Sequence, residues 1–222
     1  MVHTLLIATA NPHKLHEITS LLSDLSTIKL VSLRDFPDLE MPPEDGLTMR
    51  DNARIKADYC AQATGLVALA DDSGIEVDAL GGAPGVHSAR WVEGTDADRT
   101  NALLEKLREV PPEQRTARYR CVICVAKVAA PAGQSVKRGT TLHRMETEAT
   151  CEGRITDDWR GENGFGYDPV FELTPATGAP GQWVGHTLAE APPEIKAQIS
   201  HRARAIAAIK PNLQRLFDTD TP

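Results

Sequence analysis

Residues 66–75 read LVALADDSGI, an apolar run followed directly by two aspartates, a serine and a glycine. The run LVALA at 66–70 has the length and composition of a buried strand. A helix-patterned segment over Thr48 to Ala63 leads into it. A helix feeding a fully apolar strand is the signature of an α/β sheet, whose ligands gather in loops at the carboxyl ends of strands. On that reading Asp71 and Asp72 sit in such a loop and point to different sides, one facing a site and the other bracing the backbone. A carboxylate so placed can hold a divalent cation or draw a proton from water. The plain alternative is an Asp-Ser-Gly turn closing a hairpin.

The same alternation extends outward. HTLLIA reads as a strand and is followed by TANPHK, after which Leu15, Ile18, Leu21, Leu22 and Leu25 recur at helical spacing. Asn11 is a good N-cap, and Pro12 fits the first helical position, where its missing N–H removes nothing. DADRTNALLEKLREV predicts a third helix with Leu103, Leu104, Leu107 and Val110 on one face. ARYRCVICVAKVA predicts a long strand, METEATCEGRIT its partner with one wet face, and VFEL a short strand. PAGQSVKRGTTLHR between the two long strands reads as an exposed connection, and TPATGAPGQWVGHT as another. Ile195, Ile199, Ile206 and Ile209 seed a last helix that Pro211 must kink or end. The expectation is a single domain over 1–222, an α/β fold with a mixed sheet flanked by helices, in two lobes with a central substrate cleft.

Composition narrows the function classes. Of 222 residues 41% are apolar, enough for a core without covalent staples. A net charge of −7 argues against a general nucleic-acid binder. The opening MVHTLLIATANPHK has no leader pattern and no apolar run is long enough to span a bilayer, so the sequence reads as soluble and cytoplasmic, with no membrane partner. Cys121 and Cys124 form a CxxC inside a strand, where a separation of three puts them on opposite faces; with Cys60 and Cys151 they read as small core residues.

Four further stretches carry chemistry-bearing residues, each with a bland alternative. TANPHK is a strand-to-helix junction whose N–H groups, helix dipole and Lys14 suit a phosphate, or it is a plain capped surface helix. PEDG places Glu44 and Asp45 before a helix, as metal ligands or as helix-capping acids. GFGYDP offers aromatics beside glycines that could stack on a base, or a turn with aromatic core plugs. ISHRARA, with Lys196 upstream, offers successive donors to a base or phosphate, or a solvated basic turn.

In this order the five stretches resemble the inosine triphosphate pyrophosphatase family, also called XTP/dITP diphosphatases. LADDSGIEVDALGGAPGVHSARW is the most specific block, and the resemblance runs from residue 6 to about residue 206. It implies Mg²⁺-dependent hydrolysis of ITP, dITP or XTP to the monophosphate and pyrophosphate by a homodimer. Carried over by residue, it implies that Thr9, Asn11 and Lys14 hold the triphosphate, and that Asp72 is the catalytic and metal-associated carboxylate. Ser73 then contacts substrate with Asp71 alongside, and Glu44 is the second metal ligand unless Asp45 takes that place. Phe165, Gly166, Tyr167 and Asp168 form the base-binding stretch, and Lys196, His201 and Arg202 meet the purine edge. Two departures are His87, where the family more often has tyrosine, and a longer connection over Pro131 to Thr147. Two rival readings are a Maf-like pyrophosphatase acting on other nucleotides and a nucleotide-sensing module without turnover. TANPHK lacks the serine-rich start and paired arginines of the first, and a pure sensor has no need of Asp72 and Glu44 as metal-bound carboxylates.

Overall fold

A computed structural model describes residues 3–129 and 142–218. Strand β1, His3–Ile7, is followed by helix α1, Pro12–Leu21, then strand β2, Ile28–Ser32. β1 and β2 pair in parallel with Leu5 opposite Leu30, so the three elements make a crossover unit. Asn11 caps α1 as expected, its Oδ1 accepting from the N–H groups of His13 (2.9 Å) and Lys14 (3.2 Å). Helix α2, Met49–Thr64, starts at a capping box of Thr48 and Asp51 and leads into strand β3, Val67–Val77. β3 pairs in parallel with β1 as far as Leu69 opposite Ile7.

Helix α3, Asp96–Lys106, begins at a Thr95–Asp98 box and ends four residues before Val110 of the predicted stripe. The long strands are β4, Thr116–Val128, and β5, Leu142–Ile155; strand β6, Phe171–Leu173, pairs antiparallel with β5. The sheet order is β2-β1-β3-β4-β5-β6, and its parallel and antiparallel pairings make it the mixed sheet expected. The chain ends in helices α4, Pro193–Ile199, and α5, His201–Asp218.

The described residues divide into two compact units, one of residues 3–72, 122–129, 142–148 and 205–218 and the other of residues 73–121 and 149–204. In the first, Leu5, Leu6, Ile7, Ile18, Leu22 and Leu69 are buried. In the second, Ile75, Leu103, Leu107, Tyr119, Val170 and Phe171 belong to one apolar cluster.

Several local expectations need correction. The aspartates do not lie in a loop beyond the strand, since β3 runs unbroken through Asp71 and Asp72 to Val77. The alternation that resumes at Ile75 and Val77, both fully buried, carries the strand onward. The last helix breaks at Ser200, not at Pro211. Ser200 is extended (ψ 154°), and its Oγ accepts from the Ala203 N–H at 3.1 Å, which stops α4 and caps α5. Pro211 sits inside α5; Ala207, whose carbonyl would have bonded the missing N–H, is exposed to solvent. Strand β2 is an element beyond those expected. Leu142–Arg144, read as loop, belongs to β5; residues 130–141 of the long connection lie outside the described residues. All four cysteines are buried and none forms a disulfide, as core residues should be.

Candidate active site

In the first unit a buried charge cluster surrounds the two aspartates. Successive strand residues face opposite sides, and here each side supplies a cation. Asp71, fully buried, takes the Lys14 ammonium at 3.1 Å. Asp72, 6% exposed, accepts from Asn52 Nδ2 at 3.1 Å and lies 3.7 Å from the Lys56 ammonium. Lys56 also donates to Glu44 at 2.8 Å. Burial pushes the Asp72 carboxyl above its ordinary value, and the opposing pull of Lys56, Lys14 and Asn52 does not cancel it. Burial alone would lower the Lys56 ammonium, but Asp71, Asp72 and Glu44 outweigh it and hold the group above its ordinary value.

These contacts exclude the bland alternatives at three stretches. The aspartates close no hairpin, because they are buried within a strand. TANPHK is more than a capped surface helix, since Lys14 reaches a buried carboxylate. The cap of α2 is Thr48 and not Glu44, and of the two acids it is Glu44 that reaches Lys56. At the junction, Thr9 Oγ1 accepts from the Asn11 N–H (3.2 Å), and the Asn11 carbonyl oxygen is committed to the cap.

Sequence reasoning missed Asn52 and Lys56. Both lie on the buried face of α2 with Met49, Ala53, Ala57 and Cys60. Polar residues four apart within an otherwise apolar helical stripe were the signal available.

The second unit gathers the other predicted residues. Asp168 is buried; its Oδ1 accepts from the Tyr119 hydroxyl (3.0 Å), and its Oδ2 from Lys196 Nζ (2.7 Å) and the Phe165 N–H (2.9 Å). The Lys196 ammonium lies 4.5 Å from the centre of the half-buried Phe165 ring. Gly166 donates its N–H to Asp96 and accepts from Thr100, which fastens the loop to α3. Tyr167 points into the core, where its hydroxyl donates to the Ser88 carbonyl at 2.9 Å and burial pushes it up to about 12. Lys196, His201 and Arg202 are 9%, 5% and 1% exposed, so ISHRARA is no solvated basic turn. Long cationic side chains are almost never buried unless paired. Arg202 donates to Ser73 Oγ at 2.9 Å. His87 is exposed at the end of a short turn.

Among the described residues no group of three or more His, Cys, Asp or Glu side chains is placed to hold a metal. Mg²⁺ asks less of a protein: one or two carboxylates, completed by water and substrate phosphates. Asp72 and Glu44, two hard oxygen donors brought to one positive group, fit that demand.

The chain is similar to known proteins along nearly its whole length. A sequence model described as the Ham1 family matches residues 5–212. The dITP/XTP pyrophosphatase of Symbiobacterium thermophilum is 45% identical over 214 residues, which is 96% of this chain and 96% of that protein. The dITP/XTP pyrophosphatase of Thermus thermophilus is 44% identical over 204 residues, 91% of this chain and 88% of that one. A solved HAM1 protein from Coxiella burnetii superposes with a TM-score of 0.78 at 35% identity, covering 96% of this chain and 99% of its own.

Proposed function

The chain belongs to the Ham1 family, and from that premise we propose that it hydrolyses deaminated purine nucleoside triphosphates, ITP, dITP or XTP, to the monophosphate and pyrophosphate. The names of its relatives supply the substrate class. The observation that carries the reading is a buried carboxylate, Asp72, raised in basicity and set within 3.7 Å of a buried ammonium.

Lys14 and Lys56 bring positive charge to the phosphate oxygens, and Thr9 and the Asn11 amide add donors at the amino end of α1. Asp72, the catalytic residue, takes the proton of the water that attacks the α-phosphorus; its raised basicity suits that task. Asn52 holds the carboxylate in place. Asp72 and Glu44 would hold Mg²⁺, which would supply neutralisation of the charge that builds on the leaving pyrophosphate.

Lys196 and Arg202 offer donors to the oxygen at position 6 of hypoxanthine or xanthine. Adenine carries an amino group there and would offer those donors no acceptor. Phe165 stacks on the base with Gly166 beside it, His201 adds a donor, and Ser73 carries the Arg202 contact. Asp168 and Tyr167 act from beneath, Asp168 by fixing Lys196 and Tyr167 by plugging the loop into the core. A cytoplasmic homodimer completes the proposal, and light scattering coupled to size exclusion checks the dimer.

The test is a panel of nucleoside triphosphates assayed for pyrophosphate, with and without Mg²⁺. ITP and XTP should release pyrophosphate well ahead of ATP and only with the metal. Orthophosphate as the first product, or equal turnover of ATP, overturns the reading.

A further inference from the structure

Tyr119 stands outside every stretch that the functional reading uses. It lies on β4, is buried, and meets Asp168, His201 and Phe171 within the second unit. Its hydroxyl donates to Asp168 Oδ1 at 3.0 Å. Its ring stacks on the His201 imidazole, centroids 4.7 Å apart and planes 9° apart. It also leans against Phe171 at 4.7 Å and 50°.

The first two contacts end on groups assigned to the base. Asp168 carries the Lys196 ammonium and the Phe165 N–H on its other oxygen, so Tyr119 grips that carboxylate from the opposite side. Lysine has a flexible four-carbon stem and a compact charge without directional preference, so its position depends on its anchor. Histidine is likewise set by what touches its ring and nitrogens. A rigid aromatic residue on a strand is well suited to hold both. A core tyrosine that only filled space would need no hydroxyl, since phenylalanine packs equally well against Phe171 and His201. Burial, reinforced by the charge of Asp168, pushes the phenol well above its ordinary value, so it stays a donor at any working pH.

The geometry points to Tyr119 as a positioning residue for base recognition: its hydroxyl fixes the Asp168–Lys196 pair while its ring fixes His201. This rests on the proposed reading of Lys196 and His201 as base-binding groups. Tyr119 itself touches neither phosphate nor metal residues, so it acts on selection and not on the chemical step.

Tyr119→Phe isolates the hydroxyl, because it keeps the ring and the stack. Steady-state pyrophosphate release is measured with ITP and ATP beside the unaltered enzyme, with melting temperatures as the check on folding. The Phe variant should raise KM for ITP about tenfold, leave kcat within about twofold, and compress the ITP:ATP ratio of kcat/KM about tenfold, equivalent to ~1.4 kcal/mol. Calorimetric affinity for inosine monophosphate should fall by the same factor. Tyr119→Leu, which also removes the stack, should compress the ratio further. A folded Phe variant with an unchanged ratio overturns the proposal, as does an equal loss with ITP and ATP, which would make Tyr119 a packing residue. If the unaltered enzyme releases no pyrophosphate from ITP, the functional reading fails first and this inference falls with it. If it does and only the ratio stays fixed, this inference alone fails.

Discussion

Replacing Lys56 with methionine tests whether the charge cluster is one mutually dependent unit. The side chain is 6% exposed and its ammonium lies 2.8 Å from Glu44 and 3.7 Å from Asp72, itself 8% exposed in its side chain. Removing one member of a buried ion pair leaves the other charge uncompensated and destabilises by roughly 3–5 kcal/mol. The low end applies here, because the Glu44 side chain is 37% exposed and screened by water, and Asp72 keeps its bond from Asn52. About 3 kcal/mol corresponds to a fall of ~6–12 °C in melting temperature for a chain of this size.

The sign with pH follows from the two shifts. Asp72 is raised, so its protonated form is the one the native state prefers, and that contribution fades as pH rises through its folded value. Lys56 is raised above its ordinary 10.5, so its contribution is complete at neutral pH and fades only in the alkaline range. The deficit of Lys56→Met is therefore full near neutral pH and shrinks as acid protonates the Asp72 carboxyl left behind. Scanning calorimetry near pH 7 and near pH 4 measures both. A fall of less than about 2 °C near pH 7, or a deficit that does not shrink in acid, refutes the reasoning.

Three further outcomes are expected. Asp72→Asn keeps the size of the side chain and removes the base, so kcat for ITP should fall at least about a hundredfold with the circular dichroism spectrum unchanged; a loss under tenfold would assign the proton transfer elsewhere. Gly164 has φ +80°, and a methyl group there collides with the Asp168 carboxylate. Gly164→Ala should lower stability by about 2 kcal/mol and raise KM for ITP, and an unchanged KM would detach this loop from the base. Burial pushes the Cys60 thiol up to about 11 and those of Cys124 and Cys151 to about 12, and Cys121 is fully buried. Near pH 8 the native protein should resist a disulfide reagent that titrates all four thiols once it is unfolded; one fast native thiol would refute that.

The alternation of strand and helix was legible because parallel strands buried on both faces write themselves as apolar runs, as LLI in β1 and VALA in β3 do. Helix starts were legible for a different reason: a cap is local chemistry, and Asn11 before Pro12 states it within two residues. β2 escaped because IKLVS interrupts its apolar residues with an exposed lysine, and only its ladder with β1 makes it a strand. The same limit explains the aspartates. Polar residues after an apolar run read as its end, yet a strand can continue through them when partners from elsewhere neutralise their charge.

Those partners separate what sequence could and could not supply at the site. Adjacent acids draw attention by themselves, whereas a lysine in the middle of a helix looks like any solvated lysine. Lys56 differs by its place: three residues after Ala53 and one before Ala57, it falls on the buried stripe of α2, as does Asn52 one turn earlier. A lysine on such a stripe is improbable unless a carboxylate meets it. The periodicity of α2 thus demands an acidic partner, and the ADD stretch demands a cation. Each segment alone leaves its reading open; the two demands are complementary, and only the fold, which sets Lys56 3.7 Å from Asp72, shows that they meet.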